Sequence, residues 1–281
     1  MQPGHLFFRR RLQYQLPLNS ELMPRRNTKA APPAAEKKPA EKKQSFGRWA
    51  WDWIKSLAAG FALFLVVRAF ILQTWVITSG SMEGTLLTGD LLVLNKVAYG
   101  AQIPGTTSRL PGYTHPKRGD VVVFRAQHGE NPGETADTLD VIKRIIGLPG
   151  DTLSMKGKVL YLNNKPYHEP YVRLSDPESK GDQYQEWFEW QRKFVIGDSA
   201  FKANYVPTRD NWGPFVVPDG RYFMMGDNRD DSLDSRFWGF LRQERVKGKA
   251  EVVYYSYERD ELTPFAWLRH PRWQRIGKLI R

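Results

Sequence analysis

Val141-Ile142-Lys143-Arg144-Ile145-Ile146-Gly147-Leu148-Pro149-Gly150-Asp151 is a run of β-branched and apolar residues that ends in a tight turn. It predicts a strand over 141–146, and a strand sends the Lys143 and Arg144 side chains to opposite faces. A lysine guarding a sheet edge is the ordinary reading of such a position. A buried lysine has another use, because burial lowers its pKa and leaves a neutral amine near neutral pH. Both readings stand at this point. Similar runs lie on either side: Leu91–Tyr99, Asp120–Arg125, Thr152–Met155, Val159–Leu162, Tyr222–Met225 and Ala250–Tyr257, with a turn at Asn163-Asn164-Lys165-Pro166. The fold class is therefore mainly β. The region from Pro170 to Asn211 is polar and aromatic, with Glu186-Trp187-Phe188-Glu189-Trp190 inside it; its structure is the least readable in the chain, and it looks like an insertion.

Upstream the character changes. Between Trp49 and Ile77 an apolar run, Leu57–Val67, is interrupted by Arg68 before Ala69–Leu72, with Trp49, Trp51 and Trp53 at one boundary and Trp75 at the other. A bilayer span needs roughly 20 mainly apolar residues, and this run reaches that length with Lys55 and Arg68 as snorkelling ends. Nearly fifty residues precede it, so it reads as an uncleaved anchor, not a cleaved secretory signal. Of the net charge of +12, residues 1–55 carry +8 and the remainder +4. The basic side faces the cytoplasm by the positive-inside rule, which places everything after about residue 75 outside. The same imbalance argues against a nucleic-acid binder, since the body is nearly neutral.

The chain before the anchor holds Arg9-Arg10-Arg11, Arg25-Arg26 and an Ala/Pro/Glu/Lys tract, a composition that buries little and predicts disorder. At the other end, residues 261–281 mix Trp with Arg. That composition suits a membrane surface, and equally a segment packed on the body. There is no cysteine, so disulfides, thiolate metal sites and a cysteine nucleophile are excluded.

Chemistry must come from what remains. Ser79-Gly80-Ser81-Met82-Glu83-Gly84-Thr85-Leu86-Leu87-Thr88-Gly89-Asp90 is a small-residue loop able to expose a hydroxyl and turn backbone NH groups toward a carbonyl, although most such stretches are ordinary turns. A serine nucleophile needs a base. The five histidines, His5, His115, His128, His168 and His270, are scattered outside any site-like stretch and lack metal-ligand spacing. Lys143 is the alternative base. The other dense stretch, Gly226-Asp227-Asn228-Arg229-Asp230-Asp231-Ser232-Leu233-Asp234-Ser235-Arg236-Phe237-Trp238-Gly239, can be held rigid by Asx turns and Asp–Arg pairs, and its arginines disfavour calcium.

An anchor, then Ser79-Gly80-Ser81-Met82, then Arg118-Gly119-Asp120-Val121-Val122-Val123-Phe124, then Lys143-Arg144 with Gly147-Leu148-Pro149-Gly150-Asp151, then the 226–239 stretch, together resemble bacterial type I signal peptidase over residues 50–257. Arg275-Ile276-Gly277-Lys278 resembles the tail of proteobacterial members. The resemblance implies a signal-peptidase-like β-sheet catalytic domain with an inserted second β subdomain, preceded by one transmembrane helix. The expected boundaries are a cytoplasmic tail at 1–48, an anchor at 49–74, a catalytic core at 75–151 and 222–260, an insertion at 152–221 and a C-terminal segment at 261–281.

It further implies a serine endopeptidase of the bacterial cytoplasmic membrane, acting at the outer face on exported preproteins, with the bilayer as its other partner and no cofactor, metal or nucleic acid. Ser81 would be the nucleophile and Lys143 the general base. The Ser81 NH and Ser79 hydroxyl would form the oxyanion hole, and Ser232 would hydrogen-bond the Lys143 amine. Asp227 with Arg144, and Asp234 with Arg236, would be structural ion pairs. Ile77, Met82, Leu86 and Ile142 would line the pocket nearest the scissile bond, and Trp75, Val123 and Asp140 the next. Thr78 and Glu83-Gly84 depart from the family pattern, which has proline at the first position and an apolar residue followed by proline at the others; both changes predict a more flexible loop. The rivals are another Ser-Lys protease of related fold, a penicillin-binding protein, whose companion motifs do not occur, and a catalytically silent membrane-anchored β module that binds export partners.

Overall fold

The computed structural model describes residues 45–106, 108–125, 140–178, 185–259 and 265–281. The tail expected at 1–48 lies outside these residues up to 44, as does His128. Helix α1 (Phe46–Val66) continues as a π-helical turn over Val67–Ile71. Its Ala and Leu residues favour helix, no proline interrupts it, and none of its residues is buried. The 26 residues Phe46–Ile71 are long and apolar enough to cross a membrane; at about 1.5 Å per residue they outreach a hydrocarbon core of about 30 Å.

Strand β1 (Leu72–Val76) follows at once and pairs antiparallel with β2 (Asp90–Asn95). The expected anchor therefore ends three residues early. Leu72 follows the helix without a Gly or Pro break, but the backbone bonds of Leu72 to Val76 go to β2, and Gln73 and Trp75 are half-buried while their neighbours are exposed. Strands β3 (Val121–Arg125) and β4 (Asp140–Gly147) pair in register, Val122 opposite Lys143 and Val123 opposite Ile142.

Next come β5 (Thr152–Lys156), β6 (Val159–Leu162), β7 (Lys165–Pro166), a 3-10 segment over Gln185–Lys193, the short helix α2 (Ser199–Ala203) and β8 (Trp212–Val216). The chain then returns through β9 (Arg221–Met225), α3 (Ser235–Trp238), β10 (Leu241–Arg242), the long β11 (Val246–Ser256), α4 (Ala266–Arg269) and β12 (Lys278–Leu279). An eight-stranded sheet runs β1-β2-β11-β3-β4-β9-β10, with β12 also on β11, and a four-stranded sheet runs β7-β6-β5-β8. The smaller sheet takes its strands from between Thr152 and Val216, and the chain re-enters the larger sheet with β9 at Arg221.

Three buried apolar clusters hold the sheets together. One joins Ile77, Met82, Leu86, Leu92, Val123 and Ile142 beneath the Ser79–Asp90 loop. A second lies against the smaller sheet around Leu153, Trp212, Phe215 and Phe223, where the Trp212 and Phe215 rings stack at 5.1 Å. A third gathers Val122, Phe124, Ile145 and Met224. Each fully buried side chain of this size contributes roughly 1.5–3 kcal/mol, so the loops carrying the polar groups below rest on firm walls. The C-terminal segment is tied to the body through β12 and through Arg275, which engages Asp90 and the Thr85 carbonyl. Trp267 and Trp273 on that segment nevertheless remain exposed.

Candidate active site

Ser81 occupies a single 3-10 turn, Gly80–Met82, between β1 and β2. The loop is closed by backbone bonds from Ile77 N to Asp90 O and from Gly89 N to Ile77 O, and its far end is fixed by Asp90, which is fully buried. Burial alone would raise the Asp90 pKa; Arg275, the Leu87 NH and the Ser256 hydroxyl more than offset it and hold the carboxyl below its ordinary range. Lys143 projects from the middle of β4, and its Nζ lies 2.6 Å from Ser81 Oγ. Lys143 is 4% exposed and Ser81 7%. Burial is the main cause of a Lys143 pKa lowered to about 8, partly opposed by the Asp234 carboxylate and reinforced by the Arg236 guanidinium. The Ser79 hydroxyl stands 3.3 Å from Ser81 Oγ.

The 226–239 loop packs behind this pair. Arg144, next to Lys143 on β4, forms a two-pronged bond to Asp227 at 2.8 and 2.7 Å and also donates to Thr85 Oγ1 and the Gly119 carbonyl. Arg236 pairs with Asp234, both side chains fully buried. There the Arg236 guanidinium and the Gly226 NH outweigh the effect of burial and keep the Asp234 carboxyl below its ordinary range. Asn228 donates its backbone NH to the Ser81 carbonyl at 3.1 Å and so ties the two loops directly.

The expected hydrogen bond from Ser232 to Lys143 is not formed: the buried Ser232 hydroxyl makes none with the amine, and the acid it favours in its ionised form is Asp234. The loop instead brings that hydroxyl over Gly226, where a Cβ would lie 2.3 Å from Ser232 Oγ and 2.5 Å from the Ser81 carbonyl oxygen. A methyl group there must separate the 226–239 loop from the Ser81 turn, whose carbonyl it would overlap. Gly226→Ala is expected to lower the turnover rate by about 100-fold, the cost of displacing reacting groups by about an ångström, with a smaller change in KM. Equal kcat for the variant and the parent would show that the turn yields without consequence.

Glu169 and the region from Pro170 to Asn211 brace this loop. Glu169 binds Arg229 through both oxygens at 2.8 and 2.6 Å, and the Arg173 NH donates to the Asp227 carbonyl at 2.8 Å. The Tyr171 ring covers the Arg144 guanidinium at 3.8 Å. Trp190 and Gln191 both donate to the Arg236 carbonyl at 3.0 Å. Sequence reasoning missed these residues because each acts on a partner far away in the chain. Gly84 has a use there too: its φ is +118°, and a Cβ would come within 2.7 Å of the Tyr171 carbonyl. Glu83 in turn pairs with Arg173 at 3.5 Å, so these two departures from the family pattern meet the brace.

Of the residues expected to line substrate pockets, Ile77, Met82, Leu86, Val123 and Ile142 form one buried cluster with Trp75 packed on it. Asp140 lies at the start of β4, where Lys247 binds its carboxylate at 2.5 Å. Strand β9 pairs with β4 only from Arg144 onward, so on that side residues 140–143 have no strand partner among the described residues. The open edge runs beside Ile142 and Lys143.

A serine hydroxyl set against a desolvated lysine, with an open strand edge beside both, is the equipment of an acyl-transferring serine hydrolase. The family model described as signal peptidase, peptidase S26, matches residues 50–255. Signal peptidase I of Pseudomonas aeruginosa is 34% identical, with 80% of this chain and 78% of the relative covered. Signal peptidase I of Aquifex aeolicus is 35% identical, covering 76% and 92%, and that of Bacillus licheniformis 31%, covering 79% and 95%. The chain belongs to the signal peptidase family, peptidase S26.

Proposed function

We propose that this chain is a membrane-anchored serine endopeptidase that removes N-terminal signal peptides from exported preproteins, with Ser81 as nucleophile and Lys143 as general base. The observation that carries the assignment is the 2.6 Å approach of Lys143 Nζ to Ser81 Oγ inside a buried site. Neutral Lys143 takes the Ser81 proton as Oγ attacks the scissile carbonyl, and the resulting ammonium gives that proton to the leaving amine. The Ser79 hydroxyl and Ser81 NH receive the oxyanion. Water, deprotonated by the same amine, then hydrolyses the acyl-enzyme ester and frees Ser81.

The signal peptide lies extended along the open edge at 140–143, where backbone pairing gives affinity and the wall of Ile77, Met82, Leu86 and Ile142 admits small side chains next to the cut. Trp75 and Val123 bound the next position, and Asp140 flanks it. Arg144 with Asp227, Arg236 with Asp234, and Ser232 keep the Lys143 neighbourhood in place. Helix α1 anchors the enzyme in the bacterial cytoplasmic membrane, with the N-terminus in the cytoplasm and the β domain on the outer face.

Purified full-length protein in neutral detergent is expected to cut a preprotein after small residues one and three positions before the bond. A base with pKa about 8 is protonated below that value, so kcat/KM falls about tenfold per pH unit on acidification and levels off above it. A rate that rises toward low pH would exclude lysine as the base. For topology, protease added to intact spheroplasts is expected to digest the β domain while sparing a cytoplasmic marker; a protected domain reverses the orientation.

A further inference from the structure

A cleft of about 810 Å³ opens where α1 and its π turn meet the β domain. Its floor includes Leu65 and Ile103, and four basic side chains, Arg68, Lys96, Arg125 and Lys247, line it with no acidic side chain among the lining residues. Asp140, outside the lining, pairs with Lys247 at 2.5 Å and with Arg125 at 3.8 Å. One carboxylate thus serves two of the four cations. Among the described residues the Arg68 side chain makes no ion pair.

Lys96 stitches the helix end to β2: its backbone NH donates to the Ile71 carbonyl, and its ammonium donates to the Arg68 and Ala69 carbonyls at 3.2 Å each. An ammonium has three protons, and two are used. Burial, with Lys247 and Arg68 adding like charge, lowers the Lys96 pKa. An anion seated here would relieve that crowding and take the third proton.

We infer that this cleft binds the phosphate-bearing headgroup of an anionic phospholipid, whose acyl chains lie along Leu65 and the exposed face of α1. The inference rests on the reading of α1 as a membrane anchor: a cleft at the last turn of a spanning helix lies at headgroup depth, where anionic lipid attracts Lys and Arg. The site docks the β domain against the bilayer and fixes its orientation relative to the anchor. It is built from residues that take no part in the proposed proton transfers.

The test is native mass spectrometry of the full-length protein in neutral detergent, titrated with phosphatidylglycerol or with phosphatidylcholine of the same chains. One phosphatidylglycerol per chain is expected to bind about tenfold more tightly than phosphatidylcholine. The Arg68→Gln/Arg125→Gln variant, which leaves Lys96 to hold the helix end, should lose about tenfold in phosphatidylglycerol binding, with phosphatidylcholine binding and the melting temperature unchanged. Lys165→Gln/Lys202→Gln, which removes two exposed charges elsewhere, should change nothing.

Equal retention of the two lipids, or the same loss in both variants, overturns the proposal. Displacement of phosphatidylglycerol by millimolar inorganic phosphate would mark a site for free phosphate and overturn the lipid assignment. A chain that retains neither lipid and stays monodisperse without detergent would remove the anchor and the lipid site together. Cleavage of a peptide spanning a signal-peptide junction, measured in parallel, reports on the Ser81–Lys143 assignment independently of both.

Discussion

Ser81→Ala and Lys143→Ala each lower the rate of preprotein cleavage by about 1,000-fold or more, and the double variant is no worse than either single one. The physical reason is that nucleophile and base act as a unit, so removing one leaves the other without a task. Their 2.6 Å separation makes the coupling direct. The two substitutions differ in what they do to the fold. A lysine whose pKa is about 8 when folded, against about 10.4 when unfolded, holds its proton less tightly in the native state. Below about pH 8 both states are protonated and the burial cost, on the order of 3 kcal/mol, is fully present. Between about 8 and 10 the native state sheds the proton first, and stability recovers.

Lys143→Met, which fills the space without the charge, is therefore expected to be inactive yet to melt at least as high as the parent at pH 7. Its advantage should shrink as the pH rises toward 10. Thermal unfolding at the two pH values reads this sign. Residual cleavage within tenfold of the parent in either alanine variant would remove the pair from the mechanism.

The second large effect is structural. Arg144 and Asp227 are each about 1% exposed and bonded through two contacts. Removing the carboxylate by Asp227→Ala strands a buried guanidinium, whose remaining partners, Thr85, Gly119 and the Tyr171 ring, are all neutral. The cost is expected to be about 3–5 kcal/mol, measured as a lower urea midpoint, and cleavage should fall with it because Asp227 begins the loop that grips the Ser81 carbonyl through Asn228. Arg144→Met/Asp227→Leu, which removes both charges, should recover most of the stability and little of the activity. A loss below about 1 kcal/mol in Asp227→Ala would rank the pair with ordinary surface ion pairs.

The strands around Lys143 were legible because β-branched runs bounded by Gly and Pro have few alternatives, and the observed β4 and β6 differ from the expected bounds by a residue at most. Strand β1 was hidden because Leu72, Trp75 and Val76 extend the composition of the helix before them; only pairing with β2 distinguishes them. Strand β8 was hidden for the opposite reason, since Trp212-Gly213-Pro214-Phe215-Val216 contains the two residues that ordinarily punctuate strands. The aromatic stretch around Trp187 looked like an insertion without a task. Its Trp190 and Gln191 end on the Arg236 carbonyl, a contact that spans 46 and 45 residues of chain.

By itself the sequence determined the local patterns: an apolar helix of spanning length, β-branched and aromatic runs bounded by turn residues, a glycine-flanked serine, and a lysine among apolar neighbours. These follow from hydrophobic periodicity and backbone preference, which are properties of short segments. Only the tertiary structure decided that Lys143 reaches Ser81, that Ser232 lies over Gly226 without bonding the amine, and that Glu169, Tyr171 and Asn228 hold the site together. Proximity and desolvation are made by packing segments distant in the chain, and the chemistry of Lys143 depends on both: in water its amine is protonated at neutral pH, and burial beneath the loops, with Arg236 nearby, lowers its pKa to about 8.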